Sequence, residues 1–332
     1  MVTIRQIAKK AGYSAATVSR LLNNDPTFSI AEDTKNKILQ VASELGYTGH
    51  QQQLPLRTIA IFFAITPKEE LEDVYYNALR KNLQNAAERM NMNGIFYNSI
   101  EDALLSADKF DSFIAVGNFK QNELAQLNSI FTNGVFIDSN PNPGIFSSVQ
   151  PDLHYITTQA INQFRHNGFT KIGFIGGRYY NPDTGTAELD EREKIFRNYL
   201  FELNQLDERY IFSSGHFSVE TGYKLGLEVI AKLHDHLPDG FFVASDPIAI
   251  GVLQAFNENG VTVPKDTAII SINDIDVAKY VSPPLTTFNI NLQEISRVAI
   301  NLINDNILNQ NTNCRRILIS ADLIIRKSFI PV

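Results

Sequence analysis

Short apolar runs alternating with helical stretches constrain this chain more than any other feature. From Arg57 onward, residues 59–65, 95–97, 112–116, 135–138, 172–176, 241–244 and 268–272 are apolar almost throughout. Strands buried on both faces read this way. Between them, residues 77–90, 156–166, 191–203, 220–232 and 248–259 carry helical spacing. Strand–helix alternation predicts an α/β fold in which parallel sheets are flanked by helices on both faces. The units outnumber what one sheet usually takes, so two subdomains are expected. The break is placed near residues 149–152, and the proline pair Pro283-Pro284 is read as a return crossing, because it cannot continue a helix. The first subdomain is then 58–150 with 284–313, and the second 151–283 with 314–332. Several crossings leave a cleft between the halves, and ligands of open α/β sheets bind beyond the carboxyl ends of strands.

Residues 1–47 follow a different pattern. Ile4, Ile7, Ala8 and Ala11 give a first helix one apolar face, and Thr3 with Gln6 forms a capping box. Gly12 ends that helix; Ser14 caps a second one, with Val18, Leu21 and Leu22 inward. Two helices joined by a short glycine-containing turn have the form of a helix-turn-helix. The outward face of the second helix carries Ala15, Ala16, Thr17, Ser19 and Arg20. Small residues let a backbone enter the major groove, the arginine fork suits guanine or a phosphate, and hydroxyls suit phosphate oxygens. An ordinary αα-hairpin with a small-residue surface is the alternative. A third helix is capped by Ser29 with Glu32, has Ile38, Val41, Ala42 and Leu45 inward, and stops at Gly46.

Charge is distributed unevenly. Residues 1–58 hold seven Lys/Arg and four Asp/Glu; of the 29 and 36 in the chain, 22 and 32 remain for the body. A head of net charge +3 on a body of −10 suits a protein that meets DNA at one end only. The single cysteine, Cys314, excludes an intramolecular disulfide and a cysteine-based zinc cage. No signal-like start and no run near ~18 apolar residues is present, so a cytoplasmic location is expected. Residues 48–57 are polar and glutamine-rich, which reads as a linker.

The run Ile4…Ile7-Ala8…Ala11-Gly12…Ser14…Ala16-Thr17-Val18-Ser19-Arg20…Asn23 resembles the DNA-binding domain of the lactose-repressor (LacI/GalR) family. Further likeness lies in Gly168-Phe169-x-Lys171-Ile172-Gly173, Ala244-Ser245-Asp246, Pro283-Pro284-Leu285-Thr286-Thr287 and Leu323-Ile324-Ile325-Arg326-Lys327-Ser328. Pro26-Thr27, Gly215-x-Phe217-Ser218 and Ser271-Ile272-Asn273-Asp274-Ile275 draw it nearest to galactose-type and evolved-β-galactosidase-operon repressors. The resemblance implies a periplasmic-binding-protein-like body behind the helix-turn-helix. It implies base reading by Ala15, Ala16 and Arg20, phosphate contacts by Thr3, Ser14, Thr17 and Ser19, and a DNA contact by Asn23. In such a family the linker forms a hinge helix that wedges a leucine into the minor groove. Leu54 or Leu56 would be that wedge, but Gly49-His50 replaces the usual Pro-Asn and the segment is short, so a plain tether stands beside it.

For the cleft, the resemblance implies that Arg192 forks onto vicinal hydroxyls and that Asp246, Asn273 and Asp138 bond others. It has Phe217 stack on a sugar ring, and Tyr75 and Tyr76 stand at the mouth. Two departures loosen the choice of sugar: Ser245 where relatives carry Asn, and Asn273 where they carry Asp. Bland alternatives stand for each: Asp246 as a helix cap, Arg192 as a solvated ion-pair member, the aromatics as core. His234-Asp235-His236 reads as a solvated helix end, Gly173-x-x-Gly176-Gly177 lacks dinucleotide spacing, and no nucleophile motif appears. No enzyme activity, metal or cofactor is therefore expected. The expectation is a sugar-responsive repressor that binds pseudo-palindromic operator DNA as a homodimer, with tetramers left open and galactose or a β-galactoside as effector. The rival is a cytosolic sugar-binding or carbohydrate-processing α/β protein whose head makes protein contacts.

Overall fold

A computed structural model describes residues 2–22, 28, 30–47, 57–65, 74–105, 110, 112–234, 236–309 and 313–331. Asn23, Leu54 and Leu56, the Ser29 cap and the linker at 48–56 lie outside the described residues.

The head holds α1 (Ile4–Ala11), α2 (Ala15–Leu22) and α3 (Glu32–Glu44). Thr3 and Gln6 close the capping box at the start of α1: the Thr3 N–H donates to Gln6 Oε1 at 2.8 Å, and the Gln6 N–H to Thr3 Oγ1 at 3.4 Å. Gly12 turns the chain at φ 80°, in the left-handed region that a Cβ disfavours. Ser14 Oγ then accepts the Thr17 N–H at 3.0 Å and starts α2. Ile7, Ala8 and Ala11 meet Val18 and the α3 residues Ile38, Val41 and Ala42 in one small core. So few buried side chains yield modest stability, which a tether or a partner subunit supplements.

Among the described residues the body contains two six-stranded sheets. Its elements run β1 (Arg57–Ala64), α4 (Val74–Arg89), β2 (Met92–Tyr97), α5 (Ile100–Leu105), β3 (Ser112–Gly117), α6 (Gln121–Ile130), β4 (Gly134–Ile137) and β5 (Ser147–Pro151). After the first crossing come α7 (Leu153–His166), β6 (Ile172–Gly176), β7 (Arg178–Tyr180), β8 (Ala187–Leu189), α8 (Glu191–Glu202), β9 (Ile211–Ser213), α9 (Val219–Leu233), β10 (Gly240–Val243), α10 (Asp246–Glu258) and β11 (Ala268–Asn273). The last elements are β12 (Thr286–Asn289), α11 (Leu292–Leu308), β13 (Arg316–Ile319) and β14 (Asp322–Ile324). Ile59, Ile61 and Phe63 of β1 pack with Leu79 and Leu83 of α4, while Ala60 and Phe62 pack with Phe113 and Phe131 on the other face. A period of two with both faces buried explains why the run looked uniformly apolar.

The sheets are ordered β13-β5-β4-β3-β1-β2 and β14-β12-β11-β10-β6-β9. Pairing is parallel except where β14 runs against β12. Two assignments from sequence are corrected. β12 pairs with β11, so the residues after Pro284 still belong to the second sheet, and the crossing follows Asn289. β13 pairs with β5 in the first sheet, and the chain recrosses between Ile319 and Asp322. Sheet membership follows backbone hydrogen bonds to strands far away in sequence, and a proline pair does not report those.

At α9 and α10 the two helix backbones touch. A Cβ on Gly222 would lie 2.0 Å from the Ile248 carbonyl oxygen, and one on Gly251 2.0 Å from that of Val219. Gly251→Ala is expected to cost about 1–3 kcal/mol in urea unfolding, since the crossing must open to admit a methyl. An unchanged midpoint would show that the helices separate freely.

Candidate DNA-reading face and effector cleft

On the head, Thr3, Ser14, Ala15, Ala16 and Arg20 are exposed, and Thr17 and Ser19 are half-buried. The Thr3 and Ser14 hydroxyls are engaged in caps, and Ser14 Oγ lies 2.8 Å from Thr17 Oγ1. Arg20 projects beside Phe28, its guanidinium carbon 4.8 Å from the ring centroid. That contact restrains a long side chain near the end of α2 at little cost in solvation. The face thus carries small side chains and hydroxyls with one cation held beside an aromatic ring.

In each sheet the strand order reverses once, between β1 and β3 and between β6 and β10. Such switch points leave crevices at strand carboxyl ends. At the first, Gly117 closes the approach: it has φ 99°, and a Cβ there would meet the Ala64 carbonyl oxygen at 2.6 Å. The strand ends, the start of α4 and the β7–β8 ribbon together wall an open cavity. It is lined by Ala64, Ile65, Tyr76, Gly117 and Asn118 from the first subdomain and by Arg178, Tyr179, Tyr180, His216 and Phe217 from the second.

Arg192 lies in the first turn of α8 and is 8% exposed, which removes the solvated ion-pair reading. Its Nε and one terminal nitrogen donate to the two Asp190 carboxylate oxygens at 2.6 and 2.8 Å, and the other terminal nitrogen to the Ala244 carbonyl at 2.7 Å. Asp190 also caps α8 by accepting the Arg192 N–H at 2.9 Å. Burial opposes the arginine charge, but Asp190 outweighs it and the pKa rises above the usual arginine value. A guanidinium has about five N–H donors; three of those of Arg192 are spent on Asp190 and Ala244, and Arg192 is not itself among the residues that line the cavity. Phe217 lies 4.7 Å from the guanidinium carbon, and Tyr179 packs beside it with ring centroids 5.8 Å apart.

Tyr75 is buried, and its hydroxyl donates to both Asp138 oxygens at 2.8 Å, so it braces β4 against α4 instead of standing at the cleft mouth. Tyr76, with its ring edge-on to Tyr75, is the one of the pair that lines the cavity. Asn273 ends β11 at φ 126°, a strained value for a side-chain-bearing residue; strain of this kind persists at functional positions.

Asp246 is corrected. It is fully buried, and its carboxylate accepts bonds from the Ser271 hydroxyl, the Thr287 hydroxyl at 2.8 Å and the Ile275 N–H at 2.9 Å. It locks α10, β11 and β12 together and offers no open edge to a ligand. Nor is it the helix cap: Ser245 Oγ takes the Ile248 N–H. Burial pushes the Asp246 pKa up from 3.8 to about 7 against the pull of those hydrogen bonds. The native carboxyl therefore keeps its proton at pH values where the unfolded one has lost it. Stability from this group is complete below its unfolded pKa and declines as pH rises toward 7, by about 1.4 kcal/mol per unit between pH 5 and 6. Asp246→Asn is expected to flatten that slope; equal slopes in urea titrations of both proteins would exclude it.

Asn118, Asp190, Tyr179 and Tyr180 were missed from sequence. Asn118 follows an apolar strand directly, so applying the strand-end rule to every strand would have found it. The β7–β8 ribbon is too short and too exposed to show a period. Among the described residues no cluster of His, Cys, Asp and Glu suits a metal, and no helix is long and apolar enough to cross a membrane.

Comparison with known proteins places these features. The family model for bacterial regulatory proteins of the lacI family matches residues 3–49, and that for a periplasmic binding protein-like domain matches 161–329. The chain is 44% identical over 328 residues to the HTH-type transcriptional regulator GanR of Bacillus subtilis (strain 168), covering 99% of each. It is 44% identical over 334 residues to the HTH-type transcriptional regulator LacR of Lactobacillus helveticus, covering 100% of this chain and 99% of that one. Its fold is similar to that of the lac repressor dimer bound to operator and the anti-inducer ONPF (TM-score 0.69, 18% identity, 98% of each chain). It is similar also to that of a transcriptional regulator CelR–cellobiose complex (TM-score 0.67, 22% identity, 99% of this chain and 100% of that one).

Proposed function

Since this chain belongs to the lacI family of bacterial regulatory proteins, and is a DNA-binding transcriptional regulator and not an enzyme, we propose that it represses carbohydrate-utilisation genes under the control of a small sugar. The observation that carries this is the cavity lined by residues at strand ends of both subdomains. Aromatic rings at Tyr76, Tyr179, Tyr180 and Phe217 can cover the C–H face of a sugar, and Arg192 stands against Phe217 with one donor left on each terminal nitrogen. Asn118 adds a neutral polar group where β3 ends. A homodimer would set two α2 helices in major grooves of a pseudo-palindromic operator, with Ala15, Ala16 and Arg20 on bases and Thr3, Ser14, Thr17 and Ser19 on phosphates. A sugar that prefers one angle between the subdomains changes how the heads are presented, a coupling typically worth ~1–3 kcal/mol.

Two measurements test this together. Anisotropy of a labelled operator duplex should show affinity falling steeply with salt, as phosphate contacts require. A sugar at about 100 times its Kd should stabilise the protein by ~2.7 kcal/mol in a thermal-shift assay and lower operator affinity. DNA retention that ignores salt would rule out the operator reading, and a stabilising sugar that leaves DNA binding unchanged would rule out the switch.

A further inference from the structure

Arg20 stands in the last turn of α2, one turn on from Ala16, and is exposed. Phe28 lies between α2 and α3 and is half-buried. Ile30, two residues on, packs against the small core that holds Ile7, Val18 and Ile38. The backbone therefore ties the Phe28 ring to the core, while the Arg20 guanidinium carbon lies over that ring, 4.8 Å from its centroid. Two lysines of the head are held differently. Lys10 pairs with Glu44 at 2.8 Å, and Lys37 lies 5.6 Å from the Tyr13 ring. Those contacts tie α3 to the rest of the head, whereas the Arg20 contact sits on the outward face of α2.

Resting on the reading of Arg20 as a base reader, we infer that Phe28 is a positioning residue for operator recognition. Its ring holds the Arg20 guanidinium where the fork meets guanine O6 and N7, and Phe28 reads no base itself. A ring attracts a cation through its face and consumes none of the guanidinium N–H donors, so the fork stays available to a base edge. An arginine near an exposed helix end otherwise spreads over many rotamers, and few of them set the fork in line with one base. Holding the side chain beforehand removes that loss from the binding step. The contact acts on preference and not on general affinity for DNA, because a phosphate accepts an arginine from many directions while a bidentate base contact does not. Phenylalanine has neither a hydrogen-bond donor nor an acceptor. Its one direct route to sequence is apolar contact with a thymine methyl, and a double variant separates that route from action through Arg20.

The test measures the full chain by anisotropy on two labelled duplexes, one selected from a randomised pool by the wild-type protein and one of random sequence. Phe28→Leu keeps apolar bulk for the head but removes the ring. It should lower the preference for the selected duplex by about 2–5-fold per half-site, hence about 5–30-fold for a dimer. The salt slope should stay that of the wild type, because no phosphate contact is lost. Phe28→Tyr keeps the ring and should keep the preference. Arg20→Ala/Phe28→Leu should discriminate no worse than Arg20→Ala alone, since the ring then has nothing to position. A preference retained in Phe28→Leu overturns the inference, and so does a further loss in the double variant, which would mean that Phe28 touches the DNA directly. Equal weakening of both duplexes with a lowered melting temperature in Phe28→Leu would reduce Phe28 to a prop for the head and overturns it too. If Arg20→Ala keeps the preference, the base-reading assignment of Arg20 fails and the inference falls with it. If Arg20→Ala loses the preference and Phe28→Leu does not, the inference alone fails.

Discussion

Arg192→Ala is expected to lower the unfolding free energy by about 3–5 kcal/mol, because it strands a charge in the interior. Asp190 has no exposed surface, and both its oxygens lean on the guanidinium. The Ala244 carbonyl loses its donor, and Phe217 loses the cation on its ring. Urea unfolding reads the cost directly. The double variant Asp190→Ala/Arg192→Ala should recover part of it, because the uncompensated carboxylate is gone. A loss below about 1 kcal/mol in the single variant would mean that water reaches Asp190 readily. This cost makes alanine a poor probe of effector response. Arg192→Lys keeps a charge beside Asp190 but not the planar fork, so it is expected to fold and to lose sugar-dependent operator release. Release that persists in Arg192→Lys would take Arg192 out of the effector site.

Arg20→Ala is expected to weaken specific operator binding by about 2–6 kcal/mol. A bidentate base contact is worth about 1–3 kcal/mol, and a dimer makes it once per half-site. The side chain is exposed and rests on Phe28, so its removal forfeits about 1 kcal/mol of head stability at most. The discriminating measurement compares operator with random duplex across a salt series. A base reader loses the preference for operator; a phosphate contact weakens both duplexes alike and shallows the salt slope by about one per half-site. The second pattern would leave Ala15 and Ala16 as the base readers of α2.

Much of the fold was legible because its signals are local. The Thr3–Gln6 box, the Gly12 turn and the Ser14 cap are hydrogen bonds and dihedrals settled within three or four residues. The strands announced themselves because helices cover both faces of each sheet, leaving no polar alternation. The candidate site was legible only in part. The family likeness named Phe217 and Tyr76, which line the cavity, and Asp138, which lines the space beside it. The likeness also named Asp246, and position at a strand end does not say whether Ser271 and Thr287 will close over the carboxylate.

The amino-acid sequence by itself determined the helix-turn-helix, the parallel α/β character of the body and the basic head on an acidic body. Those properties follow from near-neighbour periodicity, capping and composition. Only the tertiary structure decided that β12 joins the second sheet and β13 the first, that Arg192 is spent largely on Asp190, and that Tyr179 and Tyr180 part the cleft in two. Each of these depends on which distant groups meet once the chain has collapsed: backbone donors and acceptors across a sheet, opposite charges taken from water together, and a ribbon pinned at its far end by Gln121. Burial makes such meetings costly to leave unmade, and nothing within a few residues of each partner records them.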